Sequence, residues 1–263
     1  MFPELFQAFA NLPLVALVAG RLAGMVLMQP VLGALIVPMQ IRVLLIVGLT
    51  LVVAPLAHPP TNWPATLGGL ALGLASELLI GALLGLIMRA SFIGLEVGGM
   101  LIAQESGLAF GQIADPTSGQ EQTVLSALYV QLAAVVFLIL DGHRAVLTAI
   151  LDTFATLPLL EGGAVLAGGH LPLVDALGLA FEIGVRVAAP AVLAMFLVNL
   201  ALGFVGRTVP QLNITTVGFA VKGMLGFLVM ASALPAAMEN FAEGIATCLD
   251  WVRELLDRAS NGA

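Results

Sequence analysis

Apolar runs dominate the chain, and short polar breaks divide them. A spanning helix needs about 20 mostly apolar residues. The pattern predicts a first segment from Leu12 to roughly Leu35, broken by Pro30 and carrying Arg21, and a second from Ile41 to Leu56. The loop "HPPTNWP" (His58 to Pro64) follows, then an apolar stretch from Ala65 to about Phe110, too long for one simple span. After a polar interruption, a helix is predicted over Val124 to Leu140, "DGHR" (Asp141 to Arg144) turns the chain, and a further helix runs until Pro158. "LLEGGAVLAGGHLP" is Gly-rich and reads as a loop. Two long segments close the apolar part, Val174 to Val205 and Ile214 to Ala233, joined by a hairpin turn in "GRTVPQLN".

The tail from Glu239 to Ser260 has a different pattern. Phe241, Ile245, Leu249, Val252 and Leu256 fall on one helical face, with Glu239, Glu243, Asp250, Glu254 and Asp257 opposite. This is an amphipathic helix, and the acid on its polar face suits docking on protein better than on anionic lipid. The expected fold is all-α and membrane-type: kinked helical hairpins plus the amphipathic C-terminal helix.

Composition strengthens this reading. Of 263 residues, 60% are hydrophobic and 10% charged, and the mean hydropathy is +1.09. A soluble domain carries about a quarter charged residues. The net charge of −7 comes without any Lys/Arg run, so nothing supports binding to phosphate backbones. The lone Cys248 excludes an internal disulfide framework. The start "MFPELFQAF" has no basic region of the signal-peptide kind. There is no phosphate loop and no triad signature, and the three histidines fall in separate loops. No catalytic residue, cofactor or metal is expected.

Charges inside apolar segments are costly, roughly 2.5–3.5 kcal/mol each on insertion scales, so they face protein or water. They are Arg21, Glu77, Arg89, Glu96, Glu105, Glu182, Arg186 and Lys222. Glu182 and Arg186 are four apart and can pair on one face, which is also what ordinary ion-pair cover near a helix end looks like. Gly69, Gly73, Glu77, Gly81, Gly85 and Arg89 recur at steps of four, a slanting groove with a carboxylate midway. Gly218, Lys222 and Gly226 repeat the spacing. Small residues so placed let a second backbone approach, although glycine is common in membrane helices and such spacings also arise by chance. Glu77, Arg89, Glu182, Arg186 and Lys222 are the candidate interface charges, and Gly69, Gly73, Gly81, Gly85, Gly218 and Gly226 the candidate packing glycines.

"GLAFGQIADPTSG" (from Gly107), "DGH" (from Asp141), "LDTFATLPL" (from Leu151) and "NLALGFVGRTVPQLNI" (from Asn199) together resemble the FliR family, the R-type subunits of the flagellar type III protein export gate. Order, spacing and overall length all match, and the resemblance covers essentially the whole chain. It implies a non-enzymatic subunit, one copy per gate, joined to P-type and Q-type subunits (FliP, FliQ) in a conical gate at the flagellar basal body of the bacterial inner membrane. Unfolded flagellar proteins would pass through the central pore, with FlhA and FlhB as further partners.

Under that resemblance residues 1–173 are a P-type-like body, 174–238 a Q-type-like hairpin, and 239–263 the tail. Lys222 matches a Q-type lysine, although the proline preceding it in the family is absent here. The pore plug is residues 106–122, with Phe110 and Ile113 at the constriction. Gly107, Gly111, Asp115, Pro116 and Gly119 shape the loop, its glycines letting it swing. An injectisome export protein of the same superfamily and a proton-coupled secondary transporter are the alternatives, the latter lacking an inverted repeat.

Overall fold

The fold is that of a computed structural model, which describes residues 12–29, 31, 37–60, 63–109, 123–160, 172–209, 211 and 213–261. It is all-α, and no strand occurs among the described residues. The helices are α1 (Leu12–Met28), α2 (Met39–Val53), α3 (Leu67–Glu105), α4 (Val124–Ile139), α5 (Gly142–Thr156), α6 (Leu173–Thr208) and α7 (Ile214–Asn261).

Local chemistry sets the boundaries. The residue before a proline is pushed out of the helical region. Accordingly α1 ends two residues before Pro30, short of the expected Leu35, and α5 stops ahead of Pro158. Thr123 caps α4, its Oγ1 accepting from the Ser126 amide at 3.2 Å. Asn213 does the same for α7, its Oδ1 accepting from the Thr216 amide at 3.3 Å. The "DGH" turn places Asp141 at φ 55 ahead of α5. A left-handed position of this kind suits Asp better than most residues, and it breaks the helix between α4 and α5.

Two expectations change. The stretch judged too long for one span is a single helix of 39 residues, about 58 Å at 1.5 Å per residue. Its glycines pack rather than break it. The tail is not a separate element either. It is the second half of α7, a 48-residue helix that runs through Pro235. A proline inside a helix removes one amide donor, and beyond it Phe241, Ile245, Cys248, Val252 and Leu256 are buried on the chain itself. The amphipathic face is covered within this protein.

Helices α3, α6 and α7 are long and apolar enough to cross a membrane, and the bent α4–α5 pair makes up to a fourth span. The chain divides into two compact units. The first takes residues 1–89, 141–176 and 245–263. In it α1 packs on α2, and Leu17, Leu22, Ile80, Ile87 and Leu159 are among its buried side chains. The second takes residues 90–140 and 177–244. Its centre is aromatic: Phe92 meets Phe137 edge-on at 5.7 Å and Phe241 at 4.7 Å between ring centroids. Where α3 and α6 touch in this unit, Gly94 and Gly98 admit Ile183 and Val187.

Candidate functional site

The first unit holds an ion pair removed from solvent. Arg21 of α1 and Glu77 of α3 are 1% and 0% exposed. Arg21 Nε donates to Glu77 Oε2 at 2.6 Å. Glycines let the two helices come close enough for this. A Cβ on Gly81 would lie 1.9 Å from the Arg21 carbonyl oxygen, and one on Gly24 would lie 2.1 Å from that of Leu78. Gly85 is likewise pressed against Met25.

The pair also grips the end of α5. Arg21 Nη1 donates to the Thr153 and Leu157 carbonyls at 3.0 and 3.1 Å, and the guanidinium carbon lies 4.7 Å from the centre of the Phe154 ring. A cation here complements the carbonyl-rich end of the helix. Glu77 Oε1 accepts the Leu160 amide at 2.8 Å. Leu160 is left-handed, with φ 71, a position costing about 1–3 kcal/mol for a non-glycine residue. A Cβ on Gly73 would clash with the Leu160 side chain at 2.2 Å. One buried point therefore joins α1, α3, α5 and the turn after α5.

Glu77 was expected among the interface charges. Within the chain both of its oxygens are engaged, by Arg21 and by the Leu160 amide, and its surface is buried. Arg89, by contrast, is exposed on α3. Glu182 and Arg186 form an ion pair, each about half exposed, and Arg186 Nη1 also reaches Asn240 Oδ1 at 3.5 Å. An exposed pair of this kind contributes about 0–1 kcal/mol. Lys222 is half-buried and belongs to none of the ion pairs among the described residues.

Of the plug residues, Phe110, Gly111, Ile113, Asp115, Pro116 and Gly119 lie outside the described residues. The described base of that segment is built as a helix end. Ser106 Oγ donates to the Ile102 and Ala103 carbonyls at 2.7 and 3.2 Å, and Gly107 is left-handed at φ 79, where glycine has no steric cost. Ser106 rests on Gly226 of α7, where an added Cβ would lie 2.7 Å from its own. Gly218 faces Leu202, and Gly69 faces Pro64.

Residue types alone did not single out the receptors of the Arg21–Glu77 pair. Thr153, Leu157 and Leu160 act through backbone atoms, which any residue possesses. The available signal was weaker: Arg21 in the first apolar segment, Glu77 as one of several charges in the third, and the quoted "LDTFATLPL", which supplies the carbonyls that receive Arg21. Among the described residues no group of three or more His, Cys, Asp or Glu could hold a metal ion.

A chain helical throughout its described residues, with three or four apolar helices long enough to cross a membrane and a buried ion pair between α1 and α3, is an integral membrane-type protein. Residues 12–248 match the family described as bacterial export proteins, family 1, and the chain belongs to that family. It is 32% identical to the flagellar biosynthetic protein FliR of Pectobacterium carotovorum subsp. carotovorum over 92% of each chain. It is 33% identical to the protein of the same name from Escherichia coli strain K12 over 82% of each. Against that of Caulobacter vibrioides the identity is 30%, over 97% of this chain and 98% of the relative.

Proposed function

We propose that this chain is a non-enzymatic core subunit of the flagellar type III export gate in the bacterial inner membrane, and that it helps to form and close the pore through which unfolded flagellar proteins leave the cell. The observation that carries the reading is the continuity of the family match, from residue 12 to residue 248. It takes in both compact units and the bent α4–α5 pair, so the family's architecture is carried whole.

The surface supports it. Phe181, Leu193, Phe196, Leu197 and Phe204 of α6 and Met224 and Leu228 of α7 are exposed, large apolar side chains on helices of membrane-crossing length that call for lipid or protein cover. P-type and Q-type subunits (FliP, FliQ) supply protein cover in this reading, with FlhB and FlhA as further partners. Residues 174–238 are the Q-type-like hairpin, and Arg89, Glu182, Arg186 and Lys222 meet charges on neighbouring subunits. Residues 106–122 plug the pore, where Phe110 and Ile113 hold back water and ions by dewetting.

Genetic replacement tests the reading. In the source bacterium with its own copy deleted, the plasmid-borne chain should restore swimming and the appearance of flagellar proteins in the medium. Normal levels of the chain in the membrane without either recovery would reject it.

A further inference from the structure

We propose that Glu77 and Gly73 of α3, with Arg21 of α1, form a seat that holds Leu160 in a strained left-handed turn, making the end of α5 a joint kept in shape by buried charge. A bulky side chain at φ 71 is a genuine outlier, and it persists only where its surroundings over-determine it.

Three separate contacts do so here. The Leu160 amide donates at 2.8 Å to the Glu77 carboxylate that also pairs with Arg21, and a hydrogen bond within an ion-pair cluster is of the stronger kind. The Leu160 side chain occupies the space that a Cβ on Gly73 would take, four residues before Glu77 and on the same helix face. Arg21 Nη1 holds the near side of the turn through the Leu157 carbonyl at 3.1 Å. Pro158, between Leu157 and Leu160, prevents the helix from continuing in place of the turn.

The Leu160 contacts are additional to the ion pair itself, since Glu77 Oε2 already accepts from Arg21 Nε while Oε1 accepts from the Leu160 amide. A counter-ion role for Glu77 requires Arg21 alone. A seat requires Leu160 as well, and this difference can be measured.

The test is a double-mutant cycle on the full chain in mild detergent. The apolar pair Arg21→Met/Glu77→Leu is compared with the parent, once with Leu160 and once in the Leu160→Gly background. Melting temperature and protease cleavage within residues 157–160 are the readouts. Glycine adopts the left-handed turn without strain, so the drop in melting temperature caused by the apolar pair should shrink by half or more in the Leu160→Gly background. The extra cleavage should shrink with it. Equal drops in both backgrounds overturn the proposal. Should the apolar pair alone yield no folded protein, adding Leu160→Gly should recover a monodisperse chain, and failure to recover one overturns it equally.

Discussion

Arg21 Nε lies 2.6 Å from Glu77 Oε2, with both side chains sealed from solvent. The two residues are 56 positions apart in sequence. Burying two charges is costly, and what remains after one partner is removed is an uncompensated charge. Arg21→Met or Glu77→Leu alone should therefore cost about 3–5 kcal/mol. The two together should recover most of that loss, because no bare charge is left. Thermal melting of the purified variants in detergent checks the order: each single variant below the double, and the double below the parent.

The helix crossing that brings the pair together depends on missing side chains. Gly81→Ala would place a Cβ 1.9 Å from the Arg21 carbonyl oxygen and should destabilise by about 1–3 kcal/mol through overpacking. Gly178 of α6 has open space around its added Cβ. There Gly→Ala should stabilise by roughly 0.5–1 kcal/mol, as expected for a glycine in a helix interior. Opposite shifts in melting temperature are the expected outcome. Shifts of the same sign would show that the crossing is looser than described.

Much of the fold is written in hydropathy. Apolar runs and prolines place the ends of α2, α4 and α5 to within a few residues, because each is set by local chemistry. Two things are not legible. The continuity of α3 and α7 is invisible, since glycines and Pro235 look like breaks until a neighbouring backbone or a buried face shows why the helix continues. The Arg21–Glu77 site is half legible. Both charges stand out in apolar surroundings, but their acceptors and donors at Thr153, Leu157 and Leu160 are backbone atoms.

In the second unit, Phe92 contacts Phe137 and Phe241 edge-on and is itself 3% exposed. Phe92→Ala should cost about 3–5 kcal/mol, whereas Phe92→Leu, which keeps most of the volume, should cost distinctly less. Melting temperatures of the two variants measure the difference.

The plug assignment concerns ion tightness rather than assembly. Deleting residues 111–119 should leave the chain in the membrane at normal levels while making cells leak ions, measured as lost membrane potential and slowed growth in high salt. A deleted chain that assembles and keeps the membrane tight counts against Phe110 and Ile113 as the constriction.

The central claim is that this chain works as one subunit of a larger gate, and purification in mild detergent tests it most directly. The tagged full chain from its own bacterium should bring down P-type and Q-type subunits in excess over itself. Lys222→Glu should sharply reduce their recovery, because a half-buried cation that becomes buried on assembly would, as an anion, meet its counter-charge with the wrong sign. A chain that purifies alone, with neither subunit type and at normal yield, contradicts the account.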